Sequence, residues 1–227
     1  MDRILVIAAH PDDEILGVGS TVAKRVAEGD KAYALILGEG QTSRWYMKGS
    51  GDPSVIESLH KNTLKAAKII GYSDVFFENL PDNRFDSVDL LGIVKKIERY
   101  IEDLKPEIIY THHYGDLNID HRITCEAVLT ATRPTGMCMV KEIYEFETVS
   151  STEWNFGNKE NSFYPNVFVD IENYFELKCD AIRKYESELC CFPHPRSLEM
   201  LEILARKWGS TVGKQYVEAF EIVRMVV

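Results

Sequence analysis

The chain has 227 residues, of which 45% are hydrophobic and 27% are charged, a composition typical of a globular protein with a full core. Its formal net charge of −10 excludes a general nucleic-acid binder, because the chain has no excess of Lys and Arg to neutralise phosphates. No apolar segment is long enough to span a membrane, and the start of the sequence lacks a signal-peptide pattern, so we expect a cytoplasmic protein.

The first part of the chain alternates short apolar runs with longer amphipathic ones, which predicts strands separated by helices. Predicted strands cover residues 4–9, 32–37, 75–77 and 107–111, and predicted helices cover residues 15–28, 56–70 and 88–104. Further on, we predict strands at residues 141–147, 166–170 and 219–227, and helices at residues 172–190 and 197–208. This order predicts an α/β fold: a Rossmann-like, doubly wound, mainly parallel sheet with a C-terminal α+β extension. We expect a single domain, with a core at about residues 1–135 and the extension at about residues 136–227.

A polar cluster, His-Pro-Asp-Asp-Glu at residues 10–14, directly follows the first predicted strand. An imidazole and several carboxylates at one turn repel phosphate but suit a divalent metal with a carboxylate base beside it. The alternative is a helix N-cap, in which Asp12 or Asp13 caps the next helix. That alternative does not account for the histidine and the additional carboxylates.

A second polar cluster, Asp-Leu-Asn-Ile-Asp-His at residues 116–121, follows the fourth predicted strand. In a sheet of order 3-2-1-4-5, strands 1 and 4 are neighbours, and ligands bind where the strand order reverses. We therefore expect the two clusters to meet at the carboxyl end of the sheet. A lone His121 at a helix start is most often a capping or surface residue, but its pairing with His10 favours a metal ligand.

These motifs, with Gly-Asp-Leu-Asn-Ile-Asp-His-Arg at residues 115–122, resemble the PIG-L/LmbE-like family of zinc-dependent N-acetylglucosamine deacetylases. Weaker similarity extends over most of the chain. The resemblance implies that His10, Asp13 and His121 bind zinc, with ferrous iron as the alternative, and that Asp12 is the general base. It also implies a small-molecule amino-sugar substrate that loses its N-acetyl group, free or linked to a nucleotide, lipid or thiol carrier.

The second motif departs from the His-x-Asp-His pattern that is frequent in the family, because Asn118 replaces its first histidine. An amide donates a hydrogen bond to a developing oxyanion but cannot transfer a proton, so we predict that Asn118 contacts the substrate. The identity of the general acid therefore stays open. Asp120 is expected to orient Asn118 or His121.

Other polar residues are weaker candidates. Arg44 lies in the loop after the second strand and is predicted to clamp a substrate phosphate or carboxylate, the alternative being a solvated arginine. Asp82 is predicted to accept hydrogen bonds from sugar hydroxyls, the alternative being a turn start. His112 and His113 at the end of the fourth strand fit a metal site less well than the motif histidine, and His194 is either a pocket residue or an ordinary loop histidine.

Two other functions stay open at this point: an amidase that cuts a larger amide conjugate with the same site, and a non-enzymatic, nucleotide-binding Rossmann-like module. The glycine pattern at residues 17–19 lacks a third glycine at Val22, and carboxylates occupy the turn that would bind a pyrophosphate. The sequence contains neither a Walker A motif nor a Gly-x-Ser-x-Gly motif. It leaves the oligomeric state open, a homo-oligomer included.

Overall fold

The computed structural model describes residues 1–41, 53–135, 140–156 and 159–227. The strands are β1 (Arg3–Ala8), β2 (Lys31–Gly38), β3 (Asp74–Leu80), β4 (Ile108–His112), β5 (Glu142–Phe146), β6 (Val167–Asp170) and β7 (Val217–Met225). The α-helices are α1 (Asp13–Leu16), α2 (Gly19–Ala27), α3 (Pro53–Ile70), α4 (Leu90–Leu104), α5 (Ile119–Ala131), α6 (Phe175–Ile182) and α7 (Leu198–Val212). No helix within these ranges combines the length and apolar character needed to cross a membrane.

The seven strands form one sheet in the order β3-β2-β1-β4-β5-β7-β6. Strands β1 to β5 are parallel to one another, whereas β7 runs antiparallel to both β5 and β6. The predicted α/β fold with a mainly parallel sheet is therefore confirmed. Ile4 of β1 pairs with Ala32 of β2 on one side and with Ile108 of β4 on the other. The strand order reverses between β1 and β4, so the carboxyl ends of these two strands lie side by side.

Strand β1 lies at the centre of two hydrophobic cores, one on each face of the sheet. Ile4 and Val6 belong to the core on the first face, and Leu5 and Ile7 belong to the core on the second. All four side chains are completely buried, as expected for a parallel strand that is covered by helices on both faces. This packing fixes the strand whose end delivers the first polar cluster.

The predicted helix at residues 15–28 is interrupted, because α1 ends at Leu16 and α2 begins at Gly19. At the break, the backbone of Gly17 lies against the aromatic ring of Phe146 on β5. A Cβ atom at Gly17 would be only 2.2 Å from Phe146 Cδ2, so this approach requires glycine. The sequence pattern did not reveal the contact, since the two residues are far apart in the chain.

The predicted helix at residues 172–190 is also shorter than expected, since α6 ends at Ile182. The chain continues in tight turns, with hydrogen bonds from Lys184 N to Ala181 O and from Tyr185 N to Ile182 O. These turns bury Tyr185 completely. Its hydroxyl donates a hydrogen bond to Glu14 Oε1 on α1, and the helix ends before the segment that makes this contact.

Candidate metal centre

The structure brings together the three residues expected to bind metal. His10 lies in the turn from β1 to α1, Asp13 is the first residue of α1, and His121 lies in the first turn of α5, after β4. One ligand atom of each residue lies within 4.8 Å of the others. His10 Nδ1 and His121 Nε2 are each 3.4 Å from the same carboxylate oxygen, Asp13 Oδ2. Two imidazoles from neighbouring strand ends thus converge on one carboxylate.

Several polar atoms of this group are buried without a hydrogen bond. Asp13 Oδ1 and both ring nitrogens of His121 have no hydrogen-bond partner within the described ranges. Asp13 is 0% exposed and His121 is 1% exposed, so bulk water does not replace the missing partners. Such atoms are costly to bury unless something pairs with them. Imidazole nitrogen and carboxylate oxygen are donors that zinc and ferrous iron accept, so the group fits a divalent cation.

A carboxylate lies beside one ring nitrogen of each of the two histidines. His10 Nε2 lies 3.0 Å from Asp120 Oδ2, and this leaves Nδ1 for the Asp13 side. His121 Nδ1 lies 3.2 Å from Asp116 Oδ2, within ion-pair distance although not aligned as a hydrogen bond. Such partners fix the ring orientation of metal-binding histidines. The expectation that Asp120 orients Asn118 or His121 is wrong, because successive residues of a helix face different directions and its carboxylate reaches His10.

A second group of possible ligands shares His10. Asp82 Oδ1 lies 3.2 Å from His10 Nε2, and His10, Asp82 and Asp120 also have ligand atoms within 4.8 Å of one another. Here, however, the oxygens already accept hydrogen bonds: Asp120 Oδ1 from Phe85 N at 2.9 Å, and Asp82 Oδ1 from Asn83 Nδ2 at 3.1 Å. The buried atoms that need a partner lie on the Asp13 side, which favours that side for a cation.

Asp12 adopts an uncommon backbone conformation between His10 and Asp13, two of the expected metal ligands. Its φ angle is 105°, in the region that favours glycine, and its backbone N–H donates to Glu14 Oε2 at 2.9 Å. The side chain makes no helix-capping hydrogen bond. Instead, Asp12 Oδ2 accepts a hydrogen bond from Arg196 Nη1 at 2.9 Å, so the N-cap interpretation is wrong for Asp12. Strained backbone of this kind concentrates at functional sites.

The adjacent carboxyls Asp12 and Asp13 have opposite pKa shifts. Burial raises the pKa of Asp12 well above its usual range, and Arg196 opposes this effect. Burial also acts to raise the pKa of Asp13, but the neighbouring His121 and His112 outweigh it and hold that pKa well below its usual range. Neighbouring carboxyls with opposite shifts are typical of sites where one group accepts protons and the other stays ionised.

His112 and His113 have hydrogen-bond partners on both ring nitrogens. His112 Nε2 accepts a hydrogen bond from Ala9 N at 2.9 Å, so its Nδ1 carries the proton and donates to Thr148 Oγ1 at 3.1 Å. Burial lowers the pKa of this neutral imidazole to about 3. His113 Nδ1 lies 3.1 Å from Glu145 Oε2. His112 Nε2 also lies 3.4 Å from Asp13 Oδ2, so His112 lies beside the expected ligands while both of its nitrogens already have hydrogen-bond partners.

The residues predicted to contact substrate have different outcomes. Asn118 caps helix α5, because its Oδ1 accepts a hydrogen bond from Asp120 N at 2.8 Å and its Nδ2 donates to Asn83 Oδ1 at 3.1 Å. Asp82 lies at the group around His10, as described above. Arg44 lies outside the described residues.

Sequence reasoning missed Arg196, which contacts Asp12 from the C-terminal part of the chain. It considered only the neighbouring His194, whose Nδ1 accepts a hydrogen bond from Arg196 N at 3.1 Å and so shapes this loop. The only local signal was an arginine that ends a Pro-His-Pro-Arg run. No spacing pattern links that run to the turn after β1.

Comparison with known proteins identifies the family. A sequence model of the PIG-L family, described as GlcNAc-PI de-N-acetylase, matches residues 5–132, more than half of the chain. The chain belongs to the PIG-L family. The matched PIG-L region includes the turn after β1 and the start of α5, and therefore all three expected metal ligands.

Curated relatives are similar to this chain over most of its length, and a solved structure shares its fold over the whole of it. "Uncharacterized deacetylase YaiS" of Escherichia coli (strain K12) is 30% identical over 190 residues, which cover 81% of this chain and 90% of the relative. "Probable N-acetyl-alpha-D-glucosaminyl L-malate deacetylase 2" of Bacillus subtilis (strain 168) is 27% identical over 203 residues, 82% of this chain and 83% of the relative. The structure of the conserved protein TT1542 from Thermus thermophilus has the same fold, with a TM-score of 0.78 and 24% identity over 100% of this chain and 97% of that chain. The two relatives are named deacetylases, which supports an enzyme that acts on amide bonds.

Proposed function

We propose that this protein is a metal-dependent hydrolase that removes the N-acetyl group from an N-acetylated amino sugar. The observation that carries the proposal is the convergence of His10, Asp13 and His121, with buried polar atoms that have no hydrogen-bond partner within the described part of the chain. The N-acetylglucosamine compounds in the names of the family and of the Bacillus subtilis relative support this class of substrate. We propose zinc as the metal, with ferrous iron as the alternative that the same donors accept.

The proposed chemistry divides between the metal and Asp12. A divalent cation at these ligands supplies a Lewis acid for the amide carbonyl and makes water more acidic. Asp12 takes a proton from the water that attacks the acetamide carbon. As the C–N bond breaks, Asp12 returns that proton to the nitrogen, so the products are acetate and a free amine. Asn118 has no proton to transfer at neutral pH, which leaves the return of the proton to Asp12.

The substrate contacts remain proposals. Asp82 lies beside His10, and Asn118 caps helix α5. We propose that the Asp82 carboxylate and the Asn118 amide bind sugar hydroxyls. Both side chains already have hydrogen bonds, so a bound substrate would exchange or share these partners. We keep Arg44 as the proposed contact for a charged group on the carrier of the sugar.

The charges at the turn after β1 argue against a nucleotide-binding module. Asp12, Asp13 and Glu14 are at most 2% exposed, and they occupy the place where a Rossmann-type turn binds pyrophosphate. Asp13, whose pKa is held well below its usual range, keeps a buried negative charge there, which repels such an anion and attracts a cation.

Acetate release is the experiment that tests the proposal. Purified protein loaded with zinc is incubated with N-acetylglucosamine, N,N′-diacetylchitobiose and bulky amide conjugates, and acetate and free amine are quantified. We expect acetate release from the sugars, loss of turnover with a chelator and recovery with added zinc. Turnover of only the bulky amides would instead indicate an amidase. No turnover together with tight nucleotide binding in the absence of metal would contradict the proposal.

The Asp12→Asn variant tests the general base. Because the amide cannot accept the proton, we expect kcat to fall by about 10²- to 10⁴-fold while one equivalent of metal is retained. The matched control is Asp180→Asn, a change at an exposed aspartate on α6 that pairs with Arg183 at the surface. Wild-type turnover in Asp12→Asn would remove Asp12 from the mechanism.

A further inference from the structure

We propose that Arg196 is a positioning residue, which holds the Asp12 carboxylate in the orientation that hydrolysis requires. This inference rests on the proposed function, because it assigns Arg196 a role through the proposed base. Arg196 lies beyond residues 5–132, the region that matches the family, so the match does not supply the contact. The contact itself is an ion pair of 2.9 Å between Arg196 Nη1 and Asp12 Oδ2.

Besides its contact with Asp12, the guanidinium of Arg196 makes two further hydrogen bonds. Its Nε donates a hydrogen bond to Ser150 Oγ at 2.9 Å, and its Nη1 also donates to Glu188 Oε2 at 3.1 Å. The side chain is 22% exposed. Partners from two separate segments therefore hold the planar group in one place, which allows it to fix the orientation of a carboxylate.

The contact uses only one oxygen of Asp12. Oδ2 bonds to Arg196, whereas no donor within the described ranges bonds to Oδ1. A carboxylate rotates easily about its last bond, since that torsion has a broad energy minimum. The bond to Arg196 restricts the rotation and leaves Oδ1 as the oxygen that accepts the proton from water.

The C-terminal part of the chain also holds the backbone of Asp12. Asp12 N donates to Glu14 Oε2, and Glu14 Oε1 in turn accepts a hydrogen bond from Tyr185 at 2.5 Å. Tyr185 and Arg196 thus act on the two ends of the same residue, its backbone and its carboxylate. This double support explains how the unusual φ of 105° at Asp12 persists.

The first test compares Arg196→Ala, Arg196→Lys and the wild type in acetate release. A loose base is positioned less often for reaction, so we expect kcat of Arg196→Ala to fall by about 10- to 100-fold, with KM within about threefold and metal content unchanged. Lysine restores one donor but not the planar group, so we expect part of the lost kcat to return. The matched control is Arg183→Ala, at an arginine on the same segment whose side chain is 48% exposed and pairs only with Asp180 among the described residues. A kcat of Arg196→Ala within about twofold of wild type would overturn the proposal.

The second test asks whether Arg196 acts through Asp12. In the Asp12→Asn background, Arg196→Ala should cause no further loss of kcat, because the group that it positions is already inactive. Added guanidinium chloride at low millimolar concentration should raise kcat of Arg196→Ala but not that of Asp12→Asn/Arg196→Ala. An equal loss in both backgrounds would show that Arg196 acts independently of Asp12, and this would also overturn the proposal.

A structural readout separates failure of this inference from failure of the proposed function. If the wild type releases no acetate from any sugar, crystal structures of the wild type and of Arg196→Ala still report the conformation of Asp12. We expect the Asp12 carboxylate of the variant to rotate or to occupy several orientations. An unchanged, well-ordered carboxylate would contradict the positioning role, whatever reaction the protein catalyses.

Discussion

The two histidines at the proposed metal site turn different ring nitrogens towards Asp13. His10 presents Nδ1 towards Asp13 and Nε2 towards Asp120, whereas His121 presents Nε2 towards Asp13 and Nδ1 towards Asp116. That His10, Asp13 and His121 come together could be predicted from the sequence, because both motifs follow the ends of neighbouring strands. The choice of nitrogen could not, since it depends on which carboxylate each ring meets in the folded chain.

The Asp120→Asn variant tests this arrangement. Asp120 accepts on both oxygens, from Phe85 N at 2.9 Å and from His10 Nε2 at 3.0 Å. An amide has only one acceptor oxygen, so it either opposes the Phe85 N–H or forces the His10 proton onto Nδ1. We expect zinc affinity to fall by about 10- to 100-fold in an equilibrium titration. The control is Asp86→Asn, at an exposed aspartate of the short 3-10 helix Phe85–Ser87. Equal affinity of Asp120→Asn and wild type would show that Asp120 does not support His10 as a proposed ligand.

At the scale of elements, the sequence predicts the strands that carry the site better than the helices around them. Hydrophobic runs identify β1 and β4, and their adjacency follows from the strand order of doubly wound sheets. The break between α1 and α2 and the early end of α6 escape prediction. Both arise from contacts with distant residues, Phe146 at Gly17 and Glu14 at Tyr185, which outweigh local helix propensity.

Gly17→Ala tests the cause of the helix break. The added methyl group would overlap the ring of Phe146, 2.2 Å away, and well-packed cores resist such additions. We expect the free energy of unfolding to fall by about 1 to 3 kcal/mol in urea titrations. Gly92→Ala in α4 is the matched control, because a Cβ there would meet only Asp89 atoms at 3.6 Å or more and alanine favours helix. Equal stability of Gly17→Ala and wild type would show that the break has another cause.

At the scale of the whole molecule, a buried ion group joins the parallel core to the antiparallel C-terminal strands. His113 follows β4, and its Nδ1 lies 3.1 Å from Oε2 of Glu145 on β5 and 3.0 Å from Oε2 of Glu221 on β7. Its Nε2 lies 3.0 Å from the carbonyl oxygen of Asn161. Although burial acts to lower it, the pKa of His113 is raised to about 10 by the two glutamates.

The pH dependence of stability tests this ion group. Because the pKa of folded His113 is about 10, above the unfolded value of about 6.5, its stabilisation is complete below pH 6.5 and is lost as the pH rises towards 10. We expect the difference in unfolding free energy between the wild type and His113→Asn to shrink as the pH rises from 7 to 10, by at most about 1.4 kcal/mol per pH unit. Urea titrations of the wild type and of His113→Asn at several pH values measure this difference. A difference that does not change with pH would contradict a charged His113.

Anomalous diffraction at the zinc edge, from crystals grown with equimolar zinc, tests the central claim most directly. We expect one strong peak per chain, within about 2.0 to 2.2 Å of His10 Nδ1, a carboxylate oxygen of Asp13 and His121 Nε2. A peak between His10 Nε2, Asp82 and Asp120, a peak beside His113, or no ordered zinc at all would contradict it.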